Sequence, residues 1–147
     1  MASSATIPRL LIPRAVYSAM LAQADAERPL ECCGLLAGQP LASSPEVRVL
    51  QRYPLVNAVA SPVEYESEAH SILAAFKDMR RHDWDVLAVY HSHPTAPPIP
   101  SRKDLERNFY GEEVVHFIIS LQSAQPEVRG WRLSENKYRE ADWLVVE

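Results

Sequence analysis

Five consecutive apolar residues, Val86-Leu87-Ala88-Val89-Tyr90, run directly into His91-Ser92-His93. An apolar run of strand length with no polar alternation has no solvent face, so it must be covered on both sides. That demands layers above and below a central strand, and so a mixed α/β fold. Residues i and i+2 of a strand share a face. The two imidazoles therefore project together from the strand end, and Ser92 points away. Pro94 to Pro100 comes next, with four prolines in seven residues. Proline fixes φ, so this connector is stiff.

The rest of the chain reads as support for that strand. Arg9 to Ile12 is a short apolar run that Pro13 ends. Val16, Ala19, Met20 and Ala24 fall at helical spacing between Arg14 and Glu27. Cys32 to Gly38 reads as a buried strand, Pro40 to Pro45 as a turn, and Val47 to Tyr53 as one strand. Leu55 to Pro62 is a loop or an edge strand, and Val63 to Glu66 a short strand. Glu68 to His82 carries the strongest helical pattern, with Ala69, Ile72, Leu73, Phe76 and Met79 on one face. Ser101 to Phe109 is expected to be helical, and Val114 to Leu121 a second central strand. Val128 to Leu133 and Tyr138 to Val146 are expected as strands around a Glu135-Asn136 turn. A chain of 147 residues fits one domain, residues 1–147, built on a single mixed sheet flanked by helices.

Charge and cysteine usage narrow the partners. The net charge of −4 gives no general attraction to nucleic acid or anionic lipid. No apolar run approaches the ~20 residues of a membrane span, and Met1 to Thr6 does not begin a signal peptide. The only cysteines, Cys32 and Cys33, are adjacent and cannot staple a fold, so reduced thiols and a cytoplasmic protein are expected.

The chemistry lies in His91, His93 and the residues just beyond the proline connector. Asp104 adds a carboxylate; two histidines and a carboxylate, with a fourth position for water, form an open arrangement suited to catalytic zinc. A structural zinc site would want a fourth protein ligand, and of two adjacent cysteines on a strand at most one could reach it. Ser101 and Asp104 also read as a helix cap with an acidic residue in the first turn. The two readings are compatible, because a capped helix start can aim Asp104 at a metal. His70 and His82 are expected in solvent. His116, in an apolar strand, is expected to be a satisfied core histidine, and Cys33 a small core residue.

The spacing His91-x-His93-x7-Ser101-x2-Asp104 resembles the signature of the JAMM (MPN+, Mov34/PAD-1) metalloproteases, and Glu31 in Glu-Cys-Cys-Gly-Leu-Leu-Ala-Gly is similar to that family's glutamate motif. Asn57-Ala58, Ser61-Pro62, Tyr65 and Ile118-Ile119-Ser120-Leu121 extend the resemblance to the short stand-alone bacterial members. The resemblance implies a cytidine-deaminase-like core. It implies His91, His93 and Asp104 as ligands of Zn2+, Glu31 as general base and Ser101 as stabiliser of the oxyanion. It further implies a metallopeptidase or isopeptidase cutting after the C-terminal Gly-Gly of a ubiquitin-like or sulfur-carrier protein, either to mature the carrier or to release cysteine. Tyr53 to Pro62 is the expected edge for the incoming tail, since Pro54 and Pro62 disfavour a central position. The alternative is a non-catalytic scaffold of the same fold, which would not need an intact ligand set. Zinc deamination is set aside, because it calls for His-x-Glu with Pro-Cys-x-x-Cys. The identity of the carrier and the oligomeric state are not legible.

Overall fold

A computed structural model describes residues 8–39 and 44–147. Met1 to Thr6 and most of the Pro40–Pro45 turn lie outside the described residues. The apolar run and both histidines form one long strand, β5 (Asp85–His93), buried from Leu87 onward. It lies at the middle of a six-stranded mixed sheet. On one side is β2 (Cys33–Gly38), antiparallel to it, and then β4 (Gln51–Leu55). On the other side β6 (Val115–Ser120) runs parallel to β5, with antiparallel β7 (Glu127–Ser134) and β8 (Lys137–Glu140) beyond it. The expected central strands are central, and β4 is an edge strand that carries Pro54.

A second sheet accompanies the expected one. β1 (Arg9–Pro13) pairs in parallel with both β3 (Glu46–Arg48) and β9 (Trp143–Val146). Two expected single strands are thereby divided. Val47 to Tyr53 is broken at Val49-Leu50, where the Val49 N–H donates to Leu11 O of the small sheet and the Leu50 N–H donates to Ala37 O of the large one. Tyr138 to Val146 is likewise shared between the sheets. Both breaks are places where the chain changes partner, which local alternation does not encode.

The large sheet has a core on each face. On one face Leu36, Ala88, Tyr90, Phe117 and Ile119 meet α1 (Arg14–Glu27) through Met20 and Ala24, and the small sheet through Leu10 and Ile12. On the other, Cys33, Leu35, Ala37 and Val89 meet α2 (Ala69–His82) through Ala75 and Met79. Cys32 and Cys33 therefore serve opposite cores, as strand alternation requires. Burial raises both thiols, Cys32 to about 12 and Cys33 to about 11, leaving them protonated and unreactive. Gly34 is fixed by close approach, because a Cβ there would lie 2.1 Å from the Tyr90 ring.

The face of α2 differs from its expected one. Leu73 and Phe76 are exposed, and the buried stripe runs through Ile72, Ala75 and Met79. Small Ala75 lets the helix lie close to the sheet, which apolar counting undervalues. Glu68 caps α2 through bonds from the His70 and Ser71 N–H groups. Val63 to Glu66 is a loop rather than a strand. The Asn57 amide occupies its backbone, accepting from the Val59 and Glu66 N–H groups and donating to Glu64 O. The expected Ser101–Phe109 helix is α3 (Arg102–Glu106), ending well before an exposed Phe109.

Candidate active site

The site forms where β5 ends. The β2–β5 register sets Cys33 opposite His91. Just before it, the Cys32 N–H donates to Ser92 Oγ at 2.8 Å and the Ser92 N–H to Cys32 O at 3.2 Å. Ser92 thus points away from the histidines and pins the start of β2, where Glu31 lies. The Glu31 backbone is tied down as well: its N–H donates to Ser61 O at 2.9 Å, and its C=O accepts from Asn57 Nδ2 at 3.0 Å. The carboxyl is buried, and its Oε1 has no hydrogen-bond partner among the described residues. Burial raises its pKa to about 8. The nearby Asp104 and Glu64 charges add to the rise, and His93 and Lys103 oppose it.

His91, His93 and Asp104 converge. Asp104 Oδ1 lies 3.2 Å from His91 Nε2, Asp104 Oδ2 lies 3.3 Å from His93 Nε2, and the two Nε2 atoms are 3.1 Å apart. Both rings are buried. His93 Nδ1 sits 2.8 Å from Pro97 O. A carbonyl only accepts, so Nδ1 carries a hydrogen, and this bond sets the ring so that Nε2 faces Asp104. Burial opposes ionisation of Asp104, but the histidines and the Ser101 N–H outweigh it and hold the carboxyl far below the usual carboxylate range. Burial opposes the charging of His93, but Asp104 and the Pro97 carbonyl outweigh it and raise its pKa.

Such a donor set repels itself unless a proton or a cation lies among its members. The three ligand atoms lie within 4.8 Å of one another. Two imidazoles and one carboxylate offer three ligands and leave a further position open, so the residues fit a zinc ion of the catalytic kind.

Ser101 and Asp104 form a reciprocal cap. The Asp104 N–H donates to Ser101 Oγ at 3.1 Å, and the Ser101 N–H donates to Asp104 Oδ2 at 2.8 Å. The Ser101 hydroxyl accepts in that bond and keeps its own hydrogen to donate. The expected cap is present, and the same carboxylate that completes it reaches both histidines.

The proline connector is held through its carbonyls. Ala96 O accepts from Ser120 Oγ at 2.7 Å, Pro97 O from His93, and Pro98 O from Trp131 Nε1 at 2.9 Å. Neither Trp131 nor the placement of Tyr65, whose ring stacks on His91 with centroids 4.6 Å apart, is legible in the sequence. A buried tryptophan needs a partner for its N–H, but nothing local says which carbonyl supplies it. His116 corrects an expectation: it is buried, yet its Nε2 has no partner among the described residues. His70 and His82 lie at the surface as expected.

The family model described as prokaryotic homologs of the JAB domain matches residues 13–134. The chain belongs to this family. It is thus a member of the short prokaryotic JAMM/MPN group that its motifs resemble. A desampylase of Pyrococcus furiosus is 34% identical over 139 residues, covering 94% of this chain and 91% of that protein. A CysO-cysteine peptidase of Mycobacterium tuberculosis is 30% identical over 145 residues, covering 97% and 94%. The solution structure of protein DSY2949 from Desulfitobacterium hafniense superposes with a TM-score of 0.83 at 30% identity, over 94% of this chain and 93% of that one. The names of these relatives, a desampylase and a peptidase, are in keeping with a hydrolase of the JAMM type. No described helix is long and apolar enough to cross a membrane.

Proposed function

We propose that this JAB-family chain is a zinc-dependent metallopeptidase that hydrolyses the bond after the C-terminal Gly-Gly of a ubiquitin-like or sulfur-carrier protein. The observation that carries the reading is the convergence of His91, His93 and Asp104 beside a buried Glu31 whose Oε1 has no partner among the described residues. Zinc, when bound, acidifies water and polarises a carbonyl oxygen. His91 Nε2, His93 Nε2 and an Asp104 oxygen would hold the ion. Glu31 takes a proton from the attacking water and delivers it to the departing amine nitrogen as the C–N bond breaks. The raised pKa of Glu31 suits a group that must both accept and donate near neutral pH. The Ser101 O–H donates to the carbonyl oxygen as charge gathers there.

The carrier tail would enter as a strand along β4, one of the two edge strands of the large sheet and the one that pairs with β2. Two buried free cysteines agree with a cytoplasmic setting. A scaffold without catalysis is disfavoured because it has no use for three convergent ligands and a desolvated carboxyl.

The test uses purified zinc-loaded protein and a carrier extended beyond Gly-Gly. Cleavage after the second glycine is expected, abolished by chelation and restored by zinc, with Glu31→Gln binding metal but not turning over. Cleavage that survives Glu31→Gln or thorough chelation would sink the mechanism. Failure of the intact protein to bind zinc would favour the scaffold.

A further inference from the structure

The large sheet is incompletely covered on its α2 face. α2 packs over β2, β4 and β5, whereas α3 is a single short turn of five residues. Between them lies a cavity of about 330 Å3, walled by Leu35, Ile72, Val89, Tyr110, Ile118 and Leu133. A mostly apolar recess of this size is in the range of ligand pockets.

Two walls of the cavity are His91 and Asp104. Whatever fills it therefore lies against the proposed metal centre. Its lining is mostly apolar, and Glu64, Lys103 and Arg107 at its border are engaged with one another. Glu64 accepts Lys103 at 2.8 Å and Arg107 at 3.2 Å, bridging the loop before α2 to α3. Arg107 also reaches Tyr65 O. The buried ionisable ring of His116, also in the wall, is held uncharged at neutral pH by burial.

We propose that this cavity receives the side chain of the residue on the leaving side of the cleaved bond, and that it selects a large aliphatic or aromatic one. The inference rests on the hydrolase reading above. The two acyl-side residues nearest the cleaved bond are glycines and bring no side chain to the metal ligands, so an apolar pocket against those ligands suits the residue whose amine departs. The volume is wasted on a cysteine or an alanine.

Two measurements test this. The first compares zinc-loaded protein on carriers extended past Gly-Gly by Ala, Cys, Leu or Phe. The Leu and Phe carriers are expected to be cut with kcat/KM about tenfold or more above Ala and Cys. Ile72→Trp, which fills the cavity from α2, should erase that advantage. The second needs no turnover: methyl NMR of the zinc-loaded wild-type protein titrated with phenylalaninamide or alaninamide. Phenylalaninamide should shift the methyls of Leu35, Ile72, Val89, Ile118 and Leu133, and alaninamide should not. Cleavage of all four carriers at equal rates refutes the pocket and leaves the hydrolase reading standing. Cleavage of none refutes the hydrolase reading and with it the leaving-residue role, even where phenylalaninamide shifts those methyls and so marks an apolar binding site. Unshifted methyls refute the pocket whatever the rates.

Discussion

The Tyr65 ring lies stacked on the imidazole of His91, centroids 4.6 Å apart and planes 26° from parallel. His91 Nδ1 has no hydrogen-bond partner among the described residues, whereas His93 is oriented by Pro97 O. Metal-ligating histidines are ordinarily fixed by a bond from the other ring nitrogen. Here an aromatic face takes that role for one of the pair. Tyr65→Ala is expected to weaken zinc binding by roughly 10–100-fold, the range seen when outer partners of a ligand are removed. Tyr65→Phe, which keeps the ring, should bind like wild type in a competitive chelator titration. Equal loss in both variants would show that the hydroxyl, not the stack, matters.

The observed cap and the proposed oxyanion role of Ser101 can be separated. Its Oγ caps α3 by accepting from the Asp104 N–H, and the proposed mechanism has its O–H donate to the substrate oxygen. Ser101→Ala should lose about 1 kcal/mol of stability through the missing cap. Ser101→Gly should lose only a few tenths, because glycine is tolerated at that position. Turnover should fall by about 10²-fold or more in both, as for a removed oxyanion donor. Turnover that tracks stability across the two variants would reduce Ser101 to a cap.

Glu31 makes the metal-free protein sensitive to base. An unfolded glutamate ionises near 4.5, and burial holds the folded one protonated to about 8. The native state therefore carries the extra proton between those values, and stability falls as pH rises through that window. Glu31→Gln stays neutral throughout. Its advantage over wild type, measured by denaturant unfolding of chelated protein, should be absent below about pH 4.5 and grow to at most about 4–5 kcal/mol by about pH 8 to 9. A pH-independent difference would mean that the carboxyl is solvated.

His116 acts at the other end of the scale. Burial, assisted by the neighbouring His91 charge, lowers its pKa from 6.5 to about 4. The unfolded chain takes up the proton first, so the stability held above pH 6.5 drains away as pH falls toward 4. His116→Phe should lack this loss, separating from wild type by about 2–3 kcal/mol at about pH 4 on chelated samples. Parallel acid curves for the two proteins would contradict the assignment.

The sheet and the site are legible in the sequence to different degrees, for physical reasons. The continuous apolar run of β5 can belong only to a doubly covered strand, and period-two alternation places His91 and His93 together. The Arg14–Glu27 helix is evident from spacing alone, and Pro54 marks an edge. What is not legible depends on partners far along the chain. The breaks at Val49 and before Trp143 are set by β1, which accepts strands from both ends of the chain. Apolar counting misplaces the α2 face because Ala75 is valuable for its smallness against the sheet, while Leu73 and Phe76 sit in solvent. A buried His116 should find a partner, and tertiary packing denies it one among the described residues.

The proline connector carries a consequence for how the protein matures. Its backbone oxygens are claimed by β5, β6 and β7 at once, through His93, Ser120 and Trp131. A slip of one residue in any of those strands would turn the claimant side chain to the opposite face, and the imidazole would lose the partner that sets its tautomer. Correct ligand geometry and correct strand register are thus a single equilibrium. The ion would act as a proofreader of assembly, binding tightly only to chains whose sheet has already closed in the right alignment.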